Sequence, residues 1–428
     1  MSDIHSRLAA LGAGVPEILL PRDGTDFSKW AVIACDQFTQ DRDYWERVKA
    51  AAGGAPSCIN LIFPEVYLED GGAEERARRI REIRNSMDSY LSNGVFAPPR
   101  RCFVYLERST PRHPMRRGLV LTVDLERYDW APEARPLIRS TEGTVKERLP
   151  PRVEIRRGAP LELPHILLLI DDEDDRLIPS LGEMTRKSAP LYKTTLMMNS
   201  GAVSGWALDT EEAWAALAGG LEALAGKAGG RYGAARPGES PFLFAMGDGN
   251  HSLATAKAVW EEYKKTHAGE AGLENHPARW ALVEVENLYD PGIDFEPIHR
   301  VVFGVEPADL LKAFASLGNL RCRQEPQNGR VIRVESLSPE IATAGLQPVL
   351  DCLAGQRKGC SIDYIHGEEE VFRLTSDTAR QAVGLILPPV RKDGLFRTVA
   401  QSGPLPRKSF SMGSAEEKRF YLECRRLF

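Results

Sequence analysis

Six residues with the means to do chemistry stand together at Gly247-Asp248-Gly249-Asn250-His251-Ser252. An apolar segment, Pro241 to Met246, leads into them. A helix-patterned stretch leaves them, with Leu253, Ala256, Val259, Trp260 and Tyr263 on one face. Glycines let successive amide N–H groups turn inward, and a helix start leaves its first amides without carbonyl partners in the helix. Together these features make an anion pocket, most naturally for phosphate. His251 offers a donor or a proton-transfer group. Asp248 would repel a bare phosphate, so in such a site it holds Mg²⁺ or accepts a substrate proton. The plainer alternative is a tight turn with Asn250 or Ser252 as the helix cap. The spacing is that of neither a P-loop nor a dinucleotide fingerprint.

Three other groupings carry chemistry. Between Arg139 and Arg157, Glu142 is a candidate general base and Arg152 a phosphate clamp; the alternative is a solvated strand pair of alternating charge. Asp36 follows the apolar run Lys29 to Cys35, so it sits at a strand end, as a candidate site carboxylate or as the acceptor of an Asx turn or a helix cap. His299 and Arg300 precede an apolar run, and Lys408-Ser409 lies in a proline-flanked loop, as a site cation or as a solvated lysine.

The elements that must position these groups are mixed. The pattern predicts a buried strand over Lys29–Cys35, an amphipathic helix over Ala73–Leu91 and two strands, Arg101–Glu107 and Gly118–Leu125, paired across a basic turn. A helix follows over Thr210–Leu224 with Thr210 as its cap, then a mobile Gly/Ala/Pro-rich loop from Gly226 to Pro241. Further strands are expected at Ala281–Val285, Ser361–Ile365 and Ala382–Leu387, and a helix at Asp309–Leu317. No regular βαβ rhythm appears, so the class is α+β, with mixed sheets and large insertions. The seam is placed near Val305, dividing 1–304 from 305–428.

Composition limits the partners. The 428 residues carry 43% apolar and 27% charged residues and a net charge of −5, which gives no global field for nucleic acid or an anionic membrane. No apolar stretch reaches membrane-helix length, and no secretory signal pattern is present. Seven cysteines, widely spaced and without a CxxC pair, argue against a disulfide framework or a zinc site and for a reducing, cytoplasmic setting. The tryptophans lie mostly in apolar runs and read as core.

The loop Gly247–Ser252 resembles the Asp-Gly-His-His-Arg signature of the family known as domain of unknown function 1015. It is similar to the matching loops of sulfiredoxin, of archaeal free-serine kinases and of the partition protein ParB. Ile138–Arg156, Pro297–Arg300, Tyr364–Gly367 and Pro406–Phe410 support the resemblance over nearly the whole chain, and Thr141–Thr144 resembles the family's His-Glu-x-Thr segment. It implies a ParB/sulfiredoxin-like core that binds a nucleotide or polyphosphate. It also implies phosphoryl transfer from a nucleotide or pyrophosphate to the hydroxyl of a free amino acid or similar metabolite. Gly247, Gly249, Asn250, Ser252 and Thr144 would hold the phosphates. Arg152, His251, His299, Arg300, Lys408 and Ser409 would neutralise them, Asp36 and Asp248 would bind Mg²⁺, and Glu142 would be the base. Ser252 stands where the signature has arginine, so another cation, for which Lys408 is the candidate, must compensate. The alternative is a regulatory protein of the same fold that binds nucleotide without turnover.

Overall fold

The computed structural model describes residues 2–233, 239–318, 320–336, 339–376 and 381–428. Two compact units divide the chain. The first comprises Met1–Ser140, Thr144–Ile293 and Ser414–Phe428; the second comprises Thr141–Gly143 and Asp294–Gly413.

Alternating apolar residues build the large mixed sheet of the first unit. Phe103 and Tyr105 enter one core while Val104 and Leu106 enter another, as a period of two requires. Among the described residues its strands run in the order Tyr192–Thr195, Ala202–Leu208, Phe103–Ser109, Arg116–Asp124, Trp280–Asn287, Leu167–Ile170, Phe244–Asp248, Ile138–Arg139 and Tyr128–Asp129. The expected pair on either side of the basic turn is present, with Val104 opposite Val120. Two short ladders tie the last segment in: Phe420–Tyr421 pairs antiparallel with Val32–Ile33, and Arg425–Arg426 with Leu161–Glu162. Charged side chains buried beneath them are paired. Arg419 bridges Glu284 and Glu423, and Arg425 meets Glu162.

In the second unit, Phe295–Phe303 pairs with Ser361–His366, Ala382–Ile386 and Phe410–Met412, and Asn328–Ser336 joins Ala382–Ile386 to Leu320–Glu325. Phe295–Phe303 is thus a shared strand of this sheet. That places the seam at Ile293/Asp294 rather than Val305, and the C-terminal segment belongs with the first unit.

Other expectations shift for local reasons. The helix expected to stop at Leu224 runs from Glu211 to Tyr232, capped by Thr210 Oγ1 on the Ala213 N–H. Its glycines cost about 1 kcal/mol each relative to alanine, but the buried face of Trp214, Leu217, Leu221 and Ala228 carries it through. The proposed loop therefore begins later, and 234–238 lie outside the described residues. Lys29–Cys35 is split by a helical turn, Phe27–Trp30, which Asp26 caps. Within Arg139–Arg157 the expected strand pair is instead a helix, Leu149–Arg156, whose Pro150 and Pro151 fall in the first turn, where proline is tolerated.

Candidate active site

The Gly247–Ser252 segment is a strand-to-helix turn inside the first unit. Phe244–Asp248 lies between Leu167–Ile170, antiparallel, and Ile138–Arg139, parallel. Gly247 and Asp248 are strand residues, and Asn250 opens the helix Asn250–Thr266. Gly249 between them has φ +79°, and a Cβ there would come within 3.0 Å of Ile166 Cα. Both the left-handed backbone and the close approach demand glycine. The helix is fixed by burying Leu253, Ala256, Val259 and Trp260, so its N-terminal dipole points from a rigid base.

Each loop side chain is held. Asn250 Oδ1 accepts from Ser140 Oγ at 3.1 Å, and Ser140 Oγ lies 3.2 Å from Tyr128 Oη. Thr144 also approaches that tyrosine. His251 Nε2 accepts the Val145 N–H at 3.4 Å. Asp248 Oδ1 accepts the Gly249 N–H at 2.8 Å, and Oδ2 lies 3.1 Å from Lys418 Nζ. Burial works to raise the Asp248 carboxyl, but the charge and hydrogen bond of Lys418 and the Gly249 N–H outweigh it. The group stays below the usual carboxylate range.

A second cluster in the same unit meets the loop through Ser252. Its Oγ lies 2.6 Å from His165 Nε2, and His165 Nδ1 lies 2.8 Å from Tyr421 Oη. Asp36 Oδ2 is 3.9 Å from His165 Nε2, and Asp36 Oδ1 accepts from Gln37. Arg152 is ion-paired with Glu65, whose carboxyl burial raises, with Arg152 opposing and Asp36 adding to the rise. Asp36, Arg152, Asp248, Asn250, His251 and Ser252 thus belong to one unit. Lys418, His165, Tyr421 and Glu65 join them unannounced by any motif. The pairing of Phe420–Tyr421 with Val32–Ile33 carries Lys418 and Tyr421 toward the turn that holds Asp36, and no signal in the sequence marks that two-residue ladder.

The remaining candidates lie in the second unit. Both oxygens of Glu142 are engaged by backbone: Lys408 N–H at 3.0 Å, Ser409 N–H at 2.8 Å and Phe410 N–H at 3.4 Å. Burial raises its carboxyl and those amides oppose the rise. Ser409 Oγ donates to the Pro406 carbonyl, while the Lys408 side chain is exposed. His299 is 2% exposed and its Nδ1 accepts the Leu387 N–H at 3.1 Å; burial pushes it down to about 4. It is neutral at pH 7 and cannot supply the expected positive charge. Arg300 is fully buried, donating to Gln347 and lying 4.5 Å from the centre of the Tyr364 ring. It is a core residue of this unit rather than a phosphate ligand.

The residues do not form a resident Mg²⁺ site. Among the described residues no three histidines, cysteines, aspartates or glutamates group as metal ligands, and Asp248 already has a partner on each oxygen. Two cavities of the first unit lie elsewhere, one of about 180 Å³ beside Tyr67 and Ile83 and one of about 380 Å³ lined by Asp171–Asp174 and Arg231. Among the described residues no helix is long and apolar enough to cross a membrane.

The model of the family described as "Protein of unknown function (DUF1015)" matches residues 19–422. The chain belongs to this family. A search of curated proteins returns no match. Among solved structures, a free serine kinase in complex with AMP is similar at 10% identity and TM-score 0.35, over 71% of this chain and 90% of that one. A conserved hypothetical protein from Pyrococcus furiosus is similar at 11% identity and TM-score 0.34, over 72% and 97%. A C-terminally truncated SbnI from Staphylococcus aureus is similar at 11% identity and TM-score 0.33, over 69% and 82%.

Proposed function

We propose that this DUF1015 chain is a cytoplasmic small-molecule phosphotransferase, which moves a phosphoryl group from a nucleotide or pyrophosphate to a metabolite hydroxyl. The observation that carries the reading is the Gly249 turn, held left-handed against Ile166 at the start of a buried helix, with Lys418 fixed beside it by Asp248. The helix start and Ser252 hold the phosphates. Lys418 supplies the counter-charge that the sequence sought at Lys408, and Asp248 aims it. Mg²⁺ arrives with the donor phosphates rather than at a protein cage. Glu142 is not the base in this reading, because its carboxylate is spent on three amides of the second unit.

The full engagement of Asp248 and Glu142 also favours a second reading, a nucleotide-binding protein without turnover. Thermal shift with ATP, ADP, CTP and pyrophosphate, each with Mg²⁺, tests both. A ligand that binds only the folded chain raises its melting temperature by mass action. The expected result is a shift with at least one donor, lowered at least tenfold in affinity by Lys418→Ala, and turnover with a panel of hydroxylated metabolites. A shift without turnover selects the second reading. No shift with any of the four overturns both.

A further inference from the structure

Ser252 has a base of its own. His165 Nε2 stands 2.6 Å from Ser252 Oγ, and the far ring nitrogen is held 2.8 Å from Tyr421 Oη. Tyr421 Oη is itself placed by the Cys35 N–H, which it accepts at 3.2 Å. With its hydrogen on Nδ1, His165 donates to Tyr421 and turns the Nε2 lone pair toward the seryl O–H. Asp36 Oδ2, 3.9 Å from that same Nε2, stabilises an imidazolium once the proton arrives. Capping does not explain the serine. The Ser252 N–H bonds the Gly249 carbonyl, and the helix start has no side-chain cap. Ser252 is half-buried, in the first turn of the helix, where the dipole favours developing negative charge.

We propose that Ser252 is a nucleophile that takes a phosphoryl group, with His165 as its base and Tyr421 as the positioning residue. The proposal rests on the phosphoryl-transfer reading above and deepens it by making the transfer pass through the protein. In the step, a bond forms between Ser252 Oγ and the terminal phosphorus of a bound nucleoside triphosphate. The bond from that phosphorus to the bridging oxygen breaks, and its electron pair leaves with the nucleoside diphosphate. The seryl proton passes to His165 Nε2. The product is phosphoserine at 252.

The test treats the full chain with ATP and Mg²⁺ and, separately, with a fluorophosphonate probe that reports activated hydroxyls without needing a nucleotide. Peptide mass spectrometry then locates the adducts. Both adducts are expected on Ser252, absent in Ser252→Ala and formed at least tenfold more slowly in His165→Gln. Tyr421→Phe should slow both several-fold while leaving the ATP thermal shift in place, which a merely structural tyrosine would not. No adduct from either reagent, on a chain that ATP still stabilises, overturns the nucleophile and leaves phosphoryl transfer standing. A probe adduct on a chain that ATP does not phosphorylate, and that none of ATP, ADP, CTP and pyrophosphate stabilises, overturns the phosphoryl-transfer reading and keeps an activated serine.

Discussion

Gly249 shows how much one residue decides. Its φ of +79° and the 3.0 Å approach to Ile166 act together. Gly249→Ala should cost about 1–2 kcal/mol from the left-handed backbone alone, with the contact added to it. Chemical denaturation would show the loss, and the surviving folded fraction should bind donor phosphate weakly, because the first amides of the helix are re-aimed. The turn, its glycines and the helix after it were legible because glycine spacing and a 3.6-residue apolar period are local signals. The partners of Asp248 and Ser252 were not. Lys418 lies 170 positions beyond Asp248 in the numbering, and His165 87 positions before Ser252. Nothing in the local pattern marks a lysine or histidine that a distant strand will deliver. His299 and Arg300 illustrate the converse. Their types suggested charge at a site, but an apolar sheet buries them, and burial turns one neutral and the other into a core residue.

At the scale of elements, the site depends on two-residue ladders more than on the large sheet. Phe420–Tyr421 on Val32–Ile33 brings Lys418 and Tyr421 to Cys35 and Asp36, and Arg419 anchors the ladder between Glu284 and Glu423. Arg419→Met removes the cation that the buried carboxylates of Glu284 and Glu423 share. A loss of roughly 3–5 kcal/mol is expected, as for any buried ion pair deprived of one partner. Equilibrium urea unfolding checks the magnitude. An unchanged midpoint would mean that the ladder holds by backbone pairing alone. Such ladders were invisible to periodicity, because two residues carry no period. The long helix Gly72–Ser92 and the strands Trp280–Asn287 and Ser361–His366 did follow their patterns, since each is long enough for one face to repeat.

For the whole molecule, the α+β class was legible from the irregular mixture of strand and helix patterns, while the division into units was not. The seam was placed near Val305, yet the strand just before it, Phe295–Phe303, is already part of the second unit's sheet. That unit responds to pH through His299. The folded imidazole refuses a proton until about pH 4, whereas the unfolded one accepts it near 6.5, so the unfolded state gains protons first as pH falls. Stability is therefore full above pH 6.5 and declines through the window from 6.5 to 4, by up to about 3 kcal/mol. Denaturation midpoints measured at pH 7 and pH 5 should differ more for the parent chain than for His299→Gln. Equal differences would assign the acid sensitivity to other groups.

The hydrogen bond from Cys35 N–H to Tyr421 Oη closes a loop across 386 positions. Long loops cost only slowly more to close, but contacts of such range form late, because the intervening chain must be ordered before they are rewarded. The lysine beside the Gly249 turn and the tyrosine behind His165 both ride on that closure. On the proposed reading, competence to bind would therefore wait on this closure: a chain with its large sheet formed would still lack the complete site until Cys35 and Tyr421 had met.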